Sequence, residues 1–419
     1  MSRTVSAWVT SGADVLGAVG PFPVDVPWWA EVEQVTEVLA EALGVPVLVL
    51  RLLTVEGGAG SRDGHVTCHV AASARPRPGA LAQRPVDERL LDDLCGAGSP
   101  LRSSWARAEG VRELLDWAAR TLAGAGGPVT GPVEQRRTWN LAGLFRLPTA
   151  SGPVWLKATA PFATDEAAVI GTFARVDPGL VPAVLGAGEH RILLEHVPGE
   201  DCWGAAPATV AGVVRRCTAA QSALAPAGRP AGLRDWSAPV LAARVRELLA
   251  GPAAAELEPQ EVAAARELTD RWAELGGCGL PDTVVHGDFH PGNWRGDGGT
   301  PVVVDFADAY WGHPVADGVR VLGFLPEAER EAAATAWIDA WSERVPGSDP
   351  ARALLLAEPL AHLACAVRYQ EFLDGIEESE RRYHEGDPAA SVRAAVRAAR
   401  RPAPGLTAAA AAGRRGRTA

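Results

Sequence analysis

The chain has 419 residues, of which 47% are hydrophobic and 22% are charged, and its net charge at pH 7 is −11. This length and composition are typical of a globular protein with about two to four compact domains. The negative charge argues against a nucleic-acid or an anionic-membrane partner, because both kinds of partner require a basic surface. Composition leaves the oligomeric state open.

The basic residues are almost all arginine. Lysine and arginine together number 40, and only one of them, Lys157, is lysine. A GC-rich genome explains the bias, because arginine codons are GC-rich and lysine codons are not. The single lysine still marks a position for which arginine is not an equivalent substitute.

The sequence predicts a cytoplasmic protein. Its six cysteines are scattered without a C-x-x-C pair, which is typical of buried thiols in a reducing compartment rather than of disulfides or a zinc site. The N-terminus lacks the apolar core of a signal peptide, and no apolar run is as long as a membrane-spanning helix.

Residues 1–125 are predicted to form a small α+β domain of their own. A Gly/Pro-rich stretch at 123–132 follows it and is typical of a linker between domains. The elements expected in this domain are helices over 31–43 and 111–122 and strands over 46–53 and 65–71.

Residues 126–199 are strand-rich, whereas residues 200–401 are mostly helical. This order predicts a two-lobed plan, with a small β-rich lobe followed by a larger helical lobe. The small lobe should contain a short helix capped at Thr164. Its strands are expected at 139–147, 154–159 and 191–197.

Apolar residues at helical spacing fill most of the larger lobe. The tail at 402–419 is rich in alanine, glycine and arginine, and we expect it to be disordered. Helices are expected at 207–223, 236–250, 259–275, 327–344, 351–375 and 388–400.

A polar loop in the larger lobe carries the clearest chemical signal. It reads His-Gly-Asp-Phe-His-Pro-Gly-Asn and contains Asp288 and Asn293; after a short apolar strand comes Asp305. Phosphoryl transfer needs one carboxylate to orient and deprotonate the acceptor hydroxyl, and an amide oxygen with a second carboxylate to hold Mg²⁺ against the phosphates of ATP. These three residues supply that set.

This region resembles the aminoglycoside phosphotransferase and choline kinase family, which has the protein-kinase-like fold. The residues that carry the resemblance are V-V-H-G-D-F-H-P-G-N-W and then V-V-V-D-F-A-D-A, within 283–317. Protein kinases have H-R-D-L-x-x-x-N and D-F-G at the same spacing, so that glycine here replaces the arginine and alanine the last glycine. The resemblance extends over residues 133–400.

The resemblance implies a role for each polar residue of the region. Asp288 is expected to be the catalytic base, and Asn293 and Asp305 the magnesium ligands. His286 is expected to support the loop, and Asp317 to be the buried aspartate that steadies it. ATP is the expected phosphoryl donor, with GTP left open as an alternative.

A kinase-like small lobe requires a lysine on its third strand, which grips the phosphates, and a helix carboxylate that holds the lysine. Val154-Trp-Leu-Lys157 fits that strand, and Glu166 lies in the first turn of the next helix. A compact ammonium on a flexible stem suits this task better than the larger planar guanidinium.

Two further segments are candidates for ATP binding. Backbone N–H groups from Asn140 to Gly143 lie where the family places its phosphate loop, although an ordinary hairpin bend is the alternative reading. The segment 193–199 resembles the family's hinge, and there we expect purine contacts at the Glu195 carbonyl and the Val197 N–H.

The acceptor is expected to be a small molecule that binds to the helical lobe. His290 is a candidate for substrate contact, with packing within the turn as the alternative. Glu377 and Glu378 belong to an acidic cluster that suits a cationic amino-sugar or amino-alcohol, with a solvated helix face as the alternative. The other members of the cluster are Glu371, Asp374 and Glu380.

Residues 37–45 resemble the end of a Nudix box. Of the metal-binding glutamates of that motif only Glu41 remains, with Val38 and Ala42 at the other positions, so we expect no diphosphate hydrolysis. A degenerate Nudix-like fold and an unassigned α+β fold are the two readings of this domain.

The expected function of the chain is ATP-dependent O-phosphorylation of an aminoglycoside-like, sugar or amino-alcohol acceptor. The alternative is a nucleotide-binding pseudokinase that acts through its N-terminal domain.

Overall fold

The computed structural model describes residues 3–96 and 98–400 of the chain. The tail predicted to be disordered lies outside these residues. Two compact units are present, and the domain boundary predicted at residue 125 falls inside the first of them. Of the described residues, the first unit contains those up to Ala163 together with Leu185–His196 and Phe372–Glu385. The second unit contains Thr164–Val184, Val197–Glu371 and Gly386–Arg400.

A four-stranded sheet forms the N-terminal part of the first unit, in the order β2-β1-β4-β3. Strands β1 and β4 are parallel, and the other pairs are antiparallel. The sheet and the first helix bury a shared apolar core that includes Val9, Leu39 and Val70. The elements are β1 (Arg3–Ser11), β2 (Asp14–Val24), α1 (Glu33–Leu43), β3 (Val47–Glu56), β4 (His65–Ala72), α2 (Glu88–Cys95) and α3 (Ala108–Gly124).

The hairpin β1–β2 has no counterpart in the sequence predictions. Register shifts between Val5 and Ala7 and between Val9 and Thr10 interrupt the pairing of its strands. Each shift breaks the two-residue alternation by which a strand is recognised in a sequence. Both strands predicted in this part, β3 and β4, are present.

A five-stranded sheet forms the rest of the first unit, in the order β5-β6-β7-β9-β8. The single strand predicted at 139–147 is wrong at its start, because residues 139–141 form the bend between β5 and β6. The backbone N–H of Trp139 donates to the carbonyl of Ala142 across this bend. The strands are β5 (Glu134–Thr138), β6 (Ala142–Thr149), β7 (Gly152–Thr159), β8 (Val184–Gly188) and β9 (Arg191–Glu195).

The two sheets of the first unit share one core. The side-chain amide of Gln135 in β5 donates to the carbonyl of Val49 at 2.7 Å and accepts from its N–H at 2.9 Å. Apolar side chains from both parts, including Leu50, Trp105 and Phe145, form one buried cluster. The Gly/Pro-rich stretch therefore joins two halves of one compact unit.

The returning segment, Phe372–Glu385, completes the first unit from far along the chain. Glu377 accepts a hydrogen bond from Arg102 at 2.9 Å, and Glu380 accepts from the N–H of Leu52 at 2.6 Å. The ring of Tyr383 packs edge-on against two tryptophans. They are Trp29 and Trp139, with ring centroids 5.6 and 5.8 Å from that of Tyr383.

Burial in the first unit makes Glu380 sensitive to pH. Loss of hydration raises the pKa of its carboxyl to about 8 from 4.5, and the neighbouring Glu377 raises it further, whereas the Leu52 N–H and Arg51 oppose the rise. Because the folded pKa exceeds the unfolded one, the contribution of this carboxyl to stability is full below about pH 4.5 and is lost as the pH rises towards 8.

We therefore expect Glu380→Gln to be more stable than the natural protein at pH 8, by about 2 kcal/mol, and equally stable near pH 4.5. Urea unfolding at both values of pH measures the difference. Glu378→Gln changes an exposed neighbour and should leave the pH dependence intact. Equal pH dependence in the natural protein and Glu380→Gln would contradict the assignment.

The second unit is mainly helical, with short strands around one loop region. Most predicted helices are present within about two residues, but 259–275 is two helices and α9 was not predicted. The helices are α4 (Glu166–Ala174), α5 (Pro207–Leu224), α6 (Ala238–Leu248), α7 (Pro259–Leu268), α8 (Arg271–Gly276), α9 (Val315–Phe324), α10 (Glu327–Arg344), α11 (Pro350–Gly375) and α12 (Asp387–Arg400).

The cap of α4 differs from the prediction. Asp165, not Thr164, accepts from the N–H of Ala168, because the Thr164 hydroxyl donates to the carbonyl of Ala309.

Among the described residues one helix, α11, has the length and apolar composition to cross a membrane, but half of the apolar stretch is buried in the structure, as in the core helix of a globular protein.

Candidate active site

Short strands of the second unit hold the polar loop. The strands are β10 (Glu200–Asp201), β11 (Thr283–Val285), β12 (Trp294–Gly296), β13 (Val302–Val303) and β14 (Tyr310–Gly312). The loop leaves β11 and ends in a single 3₁₀ turn, Pro291–Asn293. Gly287 adopts a φ of +86°, and a Cβ there would collide with the carbonyl oxygen of Asp308. Glycine is therefore required where protein kinases carry arginine.

Two buried side chains support this loop from behind. Asp317 accepts from the backbone N–H groups of His286 and Gly287 at 2.8 and 3.0 Å, and from the Gln221 amide at 2.7 Å. The His286 ring donates to the carbonyl of Val304 at 3.0 Å and accepts from the N–H of Asp288 at 3.1 Å. Burial raises the pKa of Asp317, although the nearby His286 and the three hydrogen bonds that the carboxylate accepts oppose the rise.

Removal of the Asp317 carboxylate should destabilise the loop. We expect Asp317→Ala to lower the free energy of unfolding by about 3 kcal/mol, because it leaves buried donors without an acceptor. Chemical denaturation measures the loss. Asp339→Ala, an exposed aspartate on α10, is the matched control and should unfold like the natural protein. Wild-type stability of Asp317→Ala would refute the supporting role.

Asp288 lies at the centre of the loop with both carboxylate oxygens engaged. Arg320 donates to Oδ1 through Nε at 2.8 Å, and its second nitrogen lies 2.6 Å from the same atom. Asn293 donates to Oδ2 at 3.0 Å, and His290 Nε2 lies 3.3 Å from it. Burial raises the pKa of Asp288, but the His290 contact and the Arg320 charge outweigh it and hold the pKa well below its usual range. Asp288 is therefore ionised at any physiological pH.

Asn293 and Asp305 lie on adjacent backbone segments. The carbonyl of Asn293 accepts from the N–H of Val304 at 2.9 Å, one residue before Asp305. Asp305 is exposed and has a φ of +66°, a left-handed conformation that is uncommon for aspartate. Such backbone conformations cluster at functional sites.

The oxygen atoms of these two side chains suit Mg²⁺. The amide nitrogen of Asn293 donates to Asp288, which directs the amide oxygen away from that carboxylate. Magnesium is bound in proteins through one or two carboxylates together with substrate phosphates. In residues 3–96 and 98–400, no three His, Cys, Asp or Glu side chains group into a metal site of their own. The amide oxygen of Asn293 and the carboxylate of Asp305 fit a metal that phosphate oxygens also bind.

Glu166 is buried at the start of α4. Its Oε1 accepts from the N–H of Phe306 at 2.9 Å, directly after Asp305. The Phe306 ring packs against Phe173 and His286, with centroids 5.3 and 4.5 Å away. Helix α4 is therefore tied to the segment that carries Asp305.

The remaining nucleotide candidates lie mostly in the first unit. Lys157 is on β7 and is 8% exposed. Asn140 is buried, and Gly143 has no room for a side chain because a Cβ would lie 2.8 Å from the Trp105 ring. The phosphate role of this bend stays a prediction. The boundary between the units falls between His196 and Val197, within the segment predicted as the hinge, and β9 ends at Glu195.

Two members of the acidic cluster do not belong to a solvated helix face, whereas Asp374 and Glu378 are exposed. Glu377 is buried in the first unit and paired with Arg102, and Glu380 is buried beside it. Because the Glu377 side chain is buried and bound to Arg102 within the first unit, the predicted acceptor contact of Glu377 is wrong. Glu378 is exposed, and its acceptor role stays a prediction.

Sequence reasoning missed Arg320, Gln221 and Trp203. Arg320 lies three residues after Asp317 on α9, an otherwise apolar helix, and this isolated charge was the one signal that pointed to it. The Trp203 ring stacks on His290, with centroids 5.3 Å apart. Contacts of this kind join residues distant in sequence and leave no local pattern.

Comparison with known families decides the assignment of this loop. The sequence model described as the phosphotransferase enzyme family matches residues 144–356, just over half of the chain. The chain belongs to the phosphotransferase enzyme family. The predicted family resemblance is thereby confirmed, and the sheets and helices described above confirm the α+β fold class.

Several solved structures are similar to this phosphotransferase at low sequence identity, and three of them illustrate this similarity. A choline/ethanolamine kinase family protein from Mesorhizobium loti is 18% identical, with a TM-score of 0.49, over 71% of this chain and 98% of that one. A macrolide 2′-phosphotransferase from Brachybacterium faecium is 21% identical, with a TM-score of 0.46, over 66% and 98%. A choline kinase from Streptococcus pneumoniae is 12% identical, with a TM-score of 0.48, over 67% and 98%. No curated protein matches the sequence.

Proposed function

We propose that this phosphotransferase is a cytoplasmic, magnesium-dependent kinase that moves the γ-phosphoryl group of ATP to a hydroxyl of a small molecule. The observation that carries the proposal is the ionised Asp288 in one loop with Asn293, followed by Asp305 in a left-handed conformation. A carboxylate base beside two oxygen ligands is the minimum set that this reaction requires.

Asp288 would orient the acceptor hydroxyl and take its proton. The hydroxyl oxygen forms a bond to the γ-phosphorus, the bond from phosphorus to the ADP oxygen breaks, and ADP leaves with the electron pair. The carboxylate would accept the proton late, as a loose transition state allows.

The acceptor hydroxyl must displace an existing contact of Asp288. Both carboxylate oxygens already have two partners, and a carboxylate accepts about four hydrogen bonds. The His290 contact is the longest, at 3.3 Å, and is therefore the one we expect to give way. This would place His290 beside the acceptor.

Asn293 and Asp305 would hold Mg²⁺, which when bound neutralises charge on the phosphates. Lys157 would bind the α- and β-phosphates, and Glu166 would position Lys157. An ammonium group at the phosphates and a carboxylate on the next helix are the groups that this role requires, and both side chains are buried. ATP is the expected donor, with GTP as the alternative.

Purified protein with Mg-ATP and a panel of hydroxyl compounds tests the proposal. At least one acceptor should release ADP and gain one phosphoryl group by mass spectrometry, and EDTA should stop the reaction until Mg²⁺ is restored. A bacterial metabolite extract extends the panel without a prior choice of acceptor. Tight ATP binding without turnover on any acceptor would instead favour a nucleotide-binding pseudokinase.

A further inference from the structure

An exposed surface of aromatic rings and one arginine borders the catalytic loop of the second unit. Its members are Trp203, His290, Arg320 and Phe324, which we call the aromatic–arginine surface. Trp203 and Phe324 are 52% and 40% exposed, which is unusual for large apolar side chains. Exposed rings beside a reactive group commonly mark a ligand site.

The rings of this surface are in mutual contact. His290 stacks on Trp203 with an interplanar angle of 21°, and its centroid lies 4.3 Å from that of Phe324. The Arg320 guanidinium lies 4.7 Å from the Phe324 centroid. A continuous face of this kind can hold a planar or apolar ring.

The polypeptide fixes Trp203 in this position. The N–H of Cys202 donates to the carbonyls of Pro291 and Trp294 at 2.9 and 3.0 Å, which fastens the residue before Trp203 to the catalytic loop. A Cβ on Gly292 would lie 2.5 Å from the Trp203 ring, so only glycine allows the tryptophan to lie this close.

Two members of the surface also contact the reactive carboxylate. Arg320 binds Oδ1 of Asp288, and His290 lies against Oδ2. A molecule stacked on the rings can therefore present a hydroxyl to Asp288 while it lies next to the Arg320 charge. A cationic group at that position would be repelled by the guanidinium.

Two carboxylates of the second unit that could attract a cationic acceptor, Glu371 and Asp308, are paired with arginine. Glu371 binds Arg234 and Arg368, each at 3.0 Å, and also Arg244. Arg368 further binds Asp308 at 2.8 Å. Three arginines therefore contact Glu371 and Asp308.

We propose that the acceptor is a neutral or anionic hydroxyl compound with an aromatic or apolar ring, and not a polycationic amino-sugar. The ring stacks on Trp203 and Phe324, and Arg320 selects against an amine close to the reacting hydroxyl. This inference rests on the proposed kinase function and names the substrate class of the same site.

Binding to the protein loaded with Mg-ADP tests the inference, with saturation-transfer NMR as the readout. Three probes share one scaffold and differ in charge: phenyl β-glucoside, phenyl β-glucuronide and phenyl 6-amino-6-deoxy-β-glucoside. We expect the first two to bind through their phenyl protons, and the amine to bind at least about 10-fold more weakly.

Variants assign the binding to the surface. Trp203→Ala and Phe324→Ala should each weaken binding of the phenyl glucoside about 10-fold. Arg320→Gln should weaken binding of the glucuronide more than that of the glucoside. Trp28→Ala removes an equally exposed tryptophan of the first unit and should change neither affinity.

Three results would overturn the inference. They are tighter binding of the amine than of the glucuronide, glucoside binding that Trp203→Ala leaves unchanged, and no binding of any ring probe to protein that does bind Mg-ADP. Failure to bind Mg-ADP is a different outcome, because it overturns the proposed kinase function first and the inference with it.

Discussion

Replacement of Asp288 by asparagine is expected to lower kcat for phosphoryl transfer by about 10³-fold. The amide keeps the size of the carboxylate and can still contact Asn293, but it cannot accept a proton, and it removes the negative charge that Arg320 binds. Release of ADP in the presence of a working acceptor measures the rate. The affinity for Mg-ATP should fall far less than kcat, because the proposed partner of Asp288 is the acceptor.

Asp297→Asn is the matched control for this prediction. Asp297 is an exposed aspartate in the turn after β12, where it accepts from the N–H of Gly299. The same chemical change at this position should leave kcat within about two-fold of the natural value. If Asp288→Asn retained more than a tenth of the activity, Asp288 could not be the base.

Lys157 is expected to be the one side-chain amine that an acylating ATP analogue labels. The chain has no other lysine, so peptide mapping separates its label from that of the N-terminal amine. Excess Mg-ATP should prevent labelling if the ammonium binds the phosphates. Lys157→Arg should lower kcat/KM for ATP by about 10²-fold, because the planar guanidinium does not replace a charge-assisted contact of a compact ammonium.

Arg146→Lys provides an internal control for the labelling. Arg146 lies on β6 opposite Trp155 and is paired with Glu134, so the variant adds a second lysine to the same sheet, at a position diagonal to Lys157. Any label at position 146 should not be protected by ATP. Equal protection at both positions, or full activity of Lys157→Arg, would show that Lys157 is not the phosphate ligand.

The sequence predicted most accurately the polar site residues that lie close together along the chain. Asp288 and Asn293 lie in one loop and are hydrogen-bonded, and Asp305 follows Val304, whose N–H donates to the carbonyl of Asn293. Their spacing in the sequence indicated this proximity, whereas their catalytic roles stay a prediction. The long amphipathic or apolar helices α5, α10 and α11 were also predicted within about two residues, because their periodicity is sustained over many turns.

Long-range contacts were out of reach of the same reasoning. Arg320 meets Asp288 across 32 positions, and Glu380 meets Leu52 across 328. A charged side chain that packs so far along the chain has the same sequence signature as one on the surface, which is why Glu377 and Glu380 suggested a solvated helix face. Register shifts concealed β1 and β2 in a similar way.

The core of the first unit is completed by the returning segment, which is synthesised long after the sheets of that unit. Both sheets of the first unit have been synthesised once residue 196 is added, but Phe372–Glu385 follows only after most of the second unit. Until then Arg102 lacks Glu377 and Trp29 lacks Tyr383, so the nascent chain carries an incomplete core of the kind that chaperones bind. A premature stop codon anywhere before position 372 would therefore leave the earliest part of the protein permanently unfinished.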